Sequence, residues 1–261
     1  GAHEGNGLGN QFLTDLNEAD VLIHIVDFSG KTDIEGEATE GHDPRDDIDF
    51  LEDELDMWYL GILESGIDKH ETKYQGADAK IEVDLAEQMS AFKTNKDEIK
   101  QIILSLGLEL DTETWDDEDR EALAREIRKR TKPMLIAANK MDTPEAQANW
   151  DEITADPDYD HLTFVPASAH AEKALKTAAE GGVVDYTAGD DDFEIVDDLS
   201  ADQEAGLEQI REFVGEYGGT GVQAAIETAL FDVLGSIAVF PGSANGSADE
   251  KGVFRDCFIL P

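Results

Sequence analysis

Cysteine is nearly absent. Cys257 stands alone, so no disulfide can form within the chain and no thiolate metal cluster exists. Basic residues are scarce: 20 Lys and Arg face 61 Asp and Glu, for a net charge of −41. No DNA partner is expected of such a chain, although acidity that reflects the solvent weakens that inference. No apolar run approaches the length of a membrane span, and no signal peptide is visible. A phosphate-binding loop is also missing. Ser29-Gly30-Lys31-Thr32 ends like G-x-x-x-x-G-K-[ST], but Ile25 stands where the first glycine belongs. The acidic, turn-rich residues that follow do not start the helix that would hold a phosphate.

Apolar residues are not lacking. At 40% they suffice for a sizeable core in 261 residues. Repulsion at this charge density destabilises a compact fold in dilute buffer. The acidic residues are spread through amphipathic segments, which favours a protein of a halophile's cytoplasm over an acidic tail or scaffold. The melting temperature should therefore climb as KCl rises from dilute buffer, since the Debye length shrinks to about 3 Å at 1 M. A melting temperature flat across that range contradicts the salt-adapted reading.

The strongest pattern is Lys132 to Asp142, KPMLIAANKMD. Met134 to Ala138 form a continuous apolar run, as in a strand buried on both faces. Asn139, Lys140 and Asp142 follow where that strand emerges at its carboxyl end, the edge at which open α/β sheets bind ligands. Val21 to Asp27, VLIHIVD, reads as a second central strand, with His24 a core histidine. A third, His161 to Ala169, ends in Pro166-Ala167-Ser168-Ala169 after room for one helix.

Between the first two strands the chain turns helical. Asp43-Pro44 is a helix start, and Ile48, Leu51, Leu55, Trp58 and Ile62 make an apolar stripe. Ile81, Leu85, Met89 and Phe92 repeat it, as do Ile99, Ile102, Ile103 and Leu106. A last helix, Asp119 to Arg130, ends in Arg125, Arg128, Lys129 and Arg130. That basic end suits the helix macrodipole, with partner binding as the alternative. Glu71 to Lys80 and Leu110 to Asp117 read as polar connectors. Further helices are expected over Gln11–Glu18, Ala171–Glu180, Gln203–Tyr217 and Gly221–Leu234, and β structure from Ser236 and from Gly252. Gly181 to Ser200 reads as a connector, and Asp190-Asp191-Asp192 lacks calcium-loop spacing.

Together GAHEGNGLGNQFL, ADVLIHIVDFSG, the helical stretch, NKMD and VPASA resemble the Obg/YchF-type GTPases, and among them the archaeal branch with a C-terminal TGS domain. The resemblance implies an α/β, three-layer P-loop-type GTPase domain with a helical insertion, followed by the first strands of a β-grasp TGS domain. Residues 1–44 would carry the switch II tail and a central strand, 45–130 the insertion, and 131–180 the base-recognition half. Residues 181–235 would be an acidic connector with helices, and 236–261 the start of TGS. The glycine-rich opening follows D-x-x-G in that family, so the chain reads as an internal fragment.

In the family Asn139, Lys140 and Asp142 correspond to the NKxD box. There the Asp accepts two hydrogen bonds from guanine, and the Lys stem lies along the base. Ser168 and Ala169 correspond to a loop whose backbone N–H groups reach guanine O6; His170 replaces the usual Lys. Relatives that prefer ATP have a broken box, so the intact one implies GTP. The resemblance places Mg2+ and the phosphate grip outside residues 1–261, which alone should not hydrolyse GTP. His3 and His42 read as bystanders, and the catalytic group is not identified. Slow hydrolysis coupled to the ribosome, its RNA or a translation factor is what the family implies. A non-hydrolysing acidic interaction module is the alternative, and neither involves a membrane.

Overall fold

The computed structural model describes residues 16, 18–73, 80–240 and 257–260. The expected helix at Gln11–Glu18 and His3 fall wholly or mostly outside them. The chain divides into two compact units. One takes the residues up to Leu22 with Lys31–Met134, the other Ile23–Gly30 with the residues from Leu135 onward.

The first unit is a helical assembly. Helix α1 (Pro44–Lys73) starts behind Asp43, whose carboxylate accepts the Arg45 N–H. It buries Ile48, Leu55, Tyr59, Leu63 and Ile67. The seam is thus rotated from the expected stripe, and Leu51, Trp58 and Ile62 are half-buried. The helix also runs on through Glu71 to Lys73, which read as a connector. Helix α2 (Ile81–Gln88) crosses α1 at Gly66, where a Cβ would come within 3.0 Å of Leu85 Cδ2. Helices α3 (Lys96–Ser105) and α4 (Asp117–Thr131) each open on a capping box, Asn95 with Glu98 and Asp116 with Asp119.

These four helices enclose a core that includes Tyr59, Leu85, Met89, Phe92, Ile99, Ile103, Leu123 and Ile127. Trp115, in a stretch read as polar connector, belongs to it, its Nε1–H donating to Glu109 O at 2.9 Å. The basic end of α4 turns onto the carboxylates of α1. Arg128 is 2% exposed and donates to Asp56 and Glu52, each at 2.7 Å, while Arg125 donates to Asp56 at 2.9 Å. Ion pairing with α1, beyond the macrodipole, accounts for two of the cluster's cations.

The second unit holds a three-stranded sheet in the order β1-β2-β3, with β1 Leu22–Asp27, β2 Met134–Asn139 and β3 Thr163–Pro166. Strand β2 is central and buried from Met134 to Ala138. It runs parallel to β3, with Ala138 opposite Pro166. Strand β1 is at the edge of the described sheet. Among the described residues Ile23 is 38% and Ile25 67% exposed, and His24, read as a core histidine, is half-buried. Only Leu22 and Val26 of that run enter the core. The chain turns at Ser29 and Gly30, Gly30 taking φ +65°, Thr32 then bridges to Ala38, and no helix starts there.

Helix α5 (Pro144–Ile153) links β2 to β3, capped by Thr143 with Pro144 in its first turn. The third strand is shorter than expected because Ser168 already caps helix α6 (Ala169–Glu180), its Oγ accepting the Ala171 N–H. The stretch read as a connector carries a small hairpin, β4 (Val184–Asp185) with β5 (Glu194–Ile195), that buries Tyr186 and Phe193. Helix α7 (Ala201–Tyr217) follows. The last expected helix divides into α8 (Val222–Glu227) and a π-helical turn, Thr228–Val233. Strands β6 (Ile237–Val239) and β7 (Phe258–Leu260) pair antiparallel. No helix among the described residues is long and apolar enough to cross a membrane.

Candidate functional site

Strands β2 and β3 deliver two loops to one sheet edge, and backbone bonds lace them together. Ala167 N–H donates to Ala138 O at 2.8 Å, and Met141 N–H to Ala167 O at 3.1 Å. Met141 is fully buried beneath the first loop, so its neighbours Lys140 and Asp142 are turned outward. The Asn139 side-chain oxygen accepts the Ala169 N–H at 3.0 Å, tying the two loops at their tips. Of the five sequence-derived site residues, the structure thus brings Asn139, Lys140 and Asp142 beside Ser168 and Ala169.

Lys140 holds φ +65°, a conformation that costs a residue with a side chain on the order of 1–3 kcal/mol. Two bonds to its carbonyl fix the turn, from Thr143 N at 3.0 Å and Thr143 Oγ1 at 2.9 Å. Its Nζ reaches Asp27 Oδ2 at 2.7 Å, and the other Asp27 oxygen accepts from Ser29 N and Oγ. Asp27 therefore lays the lysine stem across the loop. Sequence reading did not include it, though its place at the carboxyl end of β1 was a signal. Asn149 Nδ2 secures the next residue by donating to Phe28 O at 2.7 Å.

Two of the loop's backbone donors have partners within the chain. Ser168, fully buried, gives its N–H to Thr220 O at 2.9 Å, and the Ala169 N–H is held by Asn139. The next donor in the first turn of α6, the His170 N–H, makes no hydrogen bond among the described residues. His170 and the exposed Asp142 carboxylate line a cleft of about 960 Å³, whose walls include Gln147, Ala174, Leu207 and Phe213. The edge therefore offers an anionic pair of acceptors, an open backbone donor and a pinned lysine stem. That set suits a planar heterocycle with two adjacent N–H groups and a carbonyl.

The other chemistry-bearing residues are elsewhere. His42 bonds to Asp47 at 2.8 Å. Among the described residues no three His, Cys, Asp or Glu side chains gather where a metal ion could be held. Asp190 caps its own turn through the Thr187 N–H.

Residues 137–243 match the family described as Obg-like GTPase YGR210-like, G4 motif-containing domain. The whole chain is 39% identical to the GTP-binding protein MJ1332 of Methanocaldococcus jannaschii and spans 65% of that protein's length. Over 80% of the chain and 53% of the relative, it is 28% identical to the ribosome-binding ATPase YchF of Haemophilus influenzae. The crystal structure of a GTP-binding protein from Pyrococcus horikoshii superposes with a TM-score of 0.71 at 35% identity, covering 95% of this chain and 67% of that one.

Proposed function

Since the chain belongs to the Obg-like GTP-binding proteins, we propose that the edge formed by Asn139, Lys140, Asp142 and the Ser168-Ala169-His170 loop reads the guanine base of GTP. Asp142 accepts from the ring N–H and exocyclic amine, the Lys140 stem lies along the base, and the loop supplies the donor for O6. Of the loop's first three N–H groups, that of His170 is open, while Asn139 can share or release that of Ala169. The observation that carries the reading is the lacing of the two loops, which holds an exposed carboxylate and an open donor at one sheet edge.

GTP hydrolysis by the whole protein, suggested by the Obg-like GTPase family match, and its coupling to the ribosome, suggested by the ribosome-binding ATPase YchF, stand as part of the same proposal. The compact helical unit supports reading 45–130 as an insertion. The β6–β7 pair supports reading the segment from residue 236 as the start of a TGS-type domain.

The test is a pair of titrations of the full-length protein with GDP and ADP. Adenine presents a ring lone pair to Asp142 and an amine to the loop donor. Two mismatched contacts at about 1.5 kcal/mol each predict roughly a hundredfold preference for GDP. Equal affinity overturns the guanine reading.

A further inference from the structure

The Ser168-Ala169-His170 loop is held by more than its own strand and helix. A turn between α7 and α8 is pressed directly against it. Gly221 sits there at φ +83°, so close that a Cβ would lie 2.0 Å from Pro166 O and 2.6 Å from Ala167 Cα. No side chain fits in that space, and backbone meets backbone. The residue before it, Thr220, is 2% exposed, and its carbonyl accepts the Ser168 N–H at 2.9 Å. Its hydroxyl turns the other way, donating to Glu172 Oε2 at 2.7 Å. Glu172 stands in the first turn of α6, and the same oxygen accepts the Tyr186 hydroxyl at 2.7 Å. Tyr186 is itself braced by the Gly189 N–H at 3.3 Å.

The turn thus grips both sides of the loop, by backbone at Ser168 and by side chain at Glu172. It also consumes the Ser168 donor and leaves the His170 N–H as the open one. We infer that Thr220 and Gly221, with Glu172 behind them, are positioning residues that set where the loop's donor meets the base oxygen. This inference rests on the guanine reading above. Hydrogen bonds weaken steeply as distance and angle depart from their optimum, so a displaced loop loses the oxygen contact while Asp142, on the other loop, keeps its own.

The experiment measures affinities of the full-length protein for GTP, 6-thio-GTP and ITP. Sulfur is a weak acceptor, so GTP over 6-thio-GTP reports the loop donor. ITP lacks the exocyclic amine, so GTP over ITP reports Asp142. Gly221→Ala and Thr220→Val should each cut the preference over 6-thio-GTP, by about fivefold or more for Gly221→Ala, and leave that over ITP unchanged. Thr220→Val removes only a hydroxyl and carries the test if Gly221→Ala does not fold. Variants that keep both preferences, even at lower overall affinity, show a merely structural turn and overturn the inference, as does a parallel fall in both. Wild-type protein that prefers GTP over ITP but not over 6-thio-GTP overturns it while the guanine reading stands. Wild-type protein with neither preference brings down both.

Discussion

Asp142→Asn is expected to lower the affinity for GTP ten- to a hundredfold and to raise that for xanthosine triphosphate. Guanine presents two adjacent donors, and a carboxylate has two acceptors for them. Asn keeps one acceptor and turns an amide N–H₂ toward the exocyclic amine, donor against donor. Losing a charge-assisted bond and leaving that donor unpaired costs roughly 1.5–3 kcal/mol. Xanthine carries a carbonyl where guanine has the amine, so the new amide finds an acceptor. Both bases keep the oxygen that the Ser168-Ala169-His170 loop reaches, and that contact is unchanged.

The structure adds a control to this experiment. Asp142 is exposed, and the loop is anchored instead by Met141 beneath it and by the Asn139 bond to Ala169 N. Stability should therefore move by no more than about 0.5 kcal/mol, as at an ordinary surface position. Titrations of GTP and XTP against wild type and variant check the prediction. If neither affinity changes, Asp142 does not read the base.

Much of this site was legible because its residues are consecutive. An apolar run that feeds directly into Asn139-Lys140-Met141-Asp142 specifies a buried strand and the loop at its carboxyl end without help from any distant residue. What holds the loops left little local trace beyond the place of Asp27 at a strand end. Asp27 meets Lys140 across 113 positions and Thr220 meets Glu172 across 48, and neither pair has a spacing that periodicity can register. Gly221 is one of 23 glycines, and its close approach to Pro166 exists only in the fold.

The helical unit shows a different limit. Helix α1 has apolar residues on adjoining rows, and the spacing of Leu51, Trp58 and Ile62 serves as well as that of Ile48, Leu55, Tyr59 and Leu63. Contacts with α2 and α4 select the second row and leave the first half-buried. Trp115 sits among Asp111, Glu113, Asp116 and Asp117, so its surroundings in sequence are those of a solvated loop. Its burial comes from packing with the core of four helices.

The largest stability loss is expected at Arg128. Its guanidinium is 2% exposed and bridges Asp56 and Glu52, whose side chains are each 12% exposed. Burial alone opposes its charge, but the bonds to Asp56 and Glu52 more than offset this and hold its pKa above the ordinary value. Arg128→Met keeps most of the stem's packing but takes from two poorly solvated carboxylates on α1 the cation that bridges them, leaving Arg125 on Asp56. Breaking such a cluster costs about 3–5 kcal/mol, or roughly 6–20 °C in melting temperature. Replacing the carboxylates as well, in Glu52→Met/Asp56→Leu/Arg128→Met, removes the excess buried negative charge and should recover most of the loss, since an apolar cluster of similar volume can match a buried ionic one. KCl distinguishes this effect from the repulsion of the whole acidic surface. Added salt screens exposed charges and raises the melting temperature of both proteins, yet it reaches a buried cluster poorly, so the gap between wild type and Arg128→Met should persist near 1 M. A gap that closes with salt, or a single variant that melts with wild type, would mean that Arg128 is a surface cation after all.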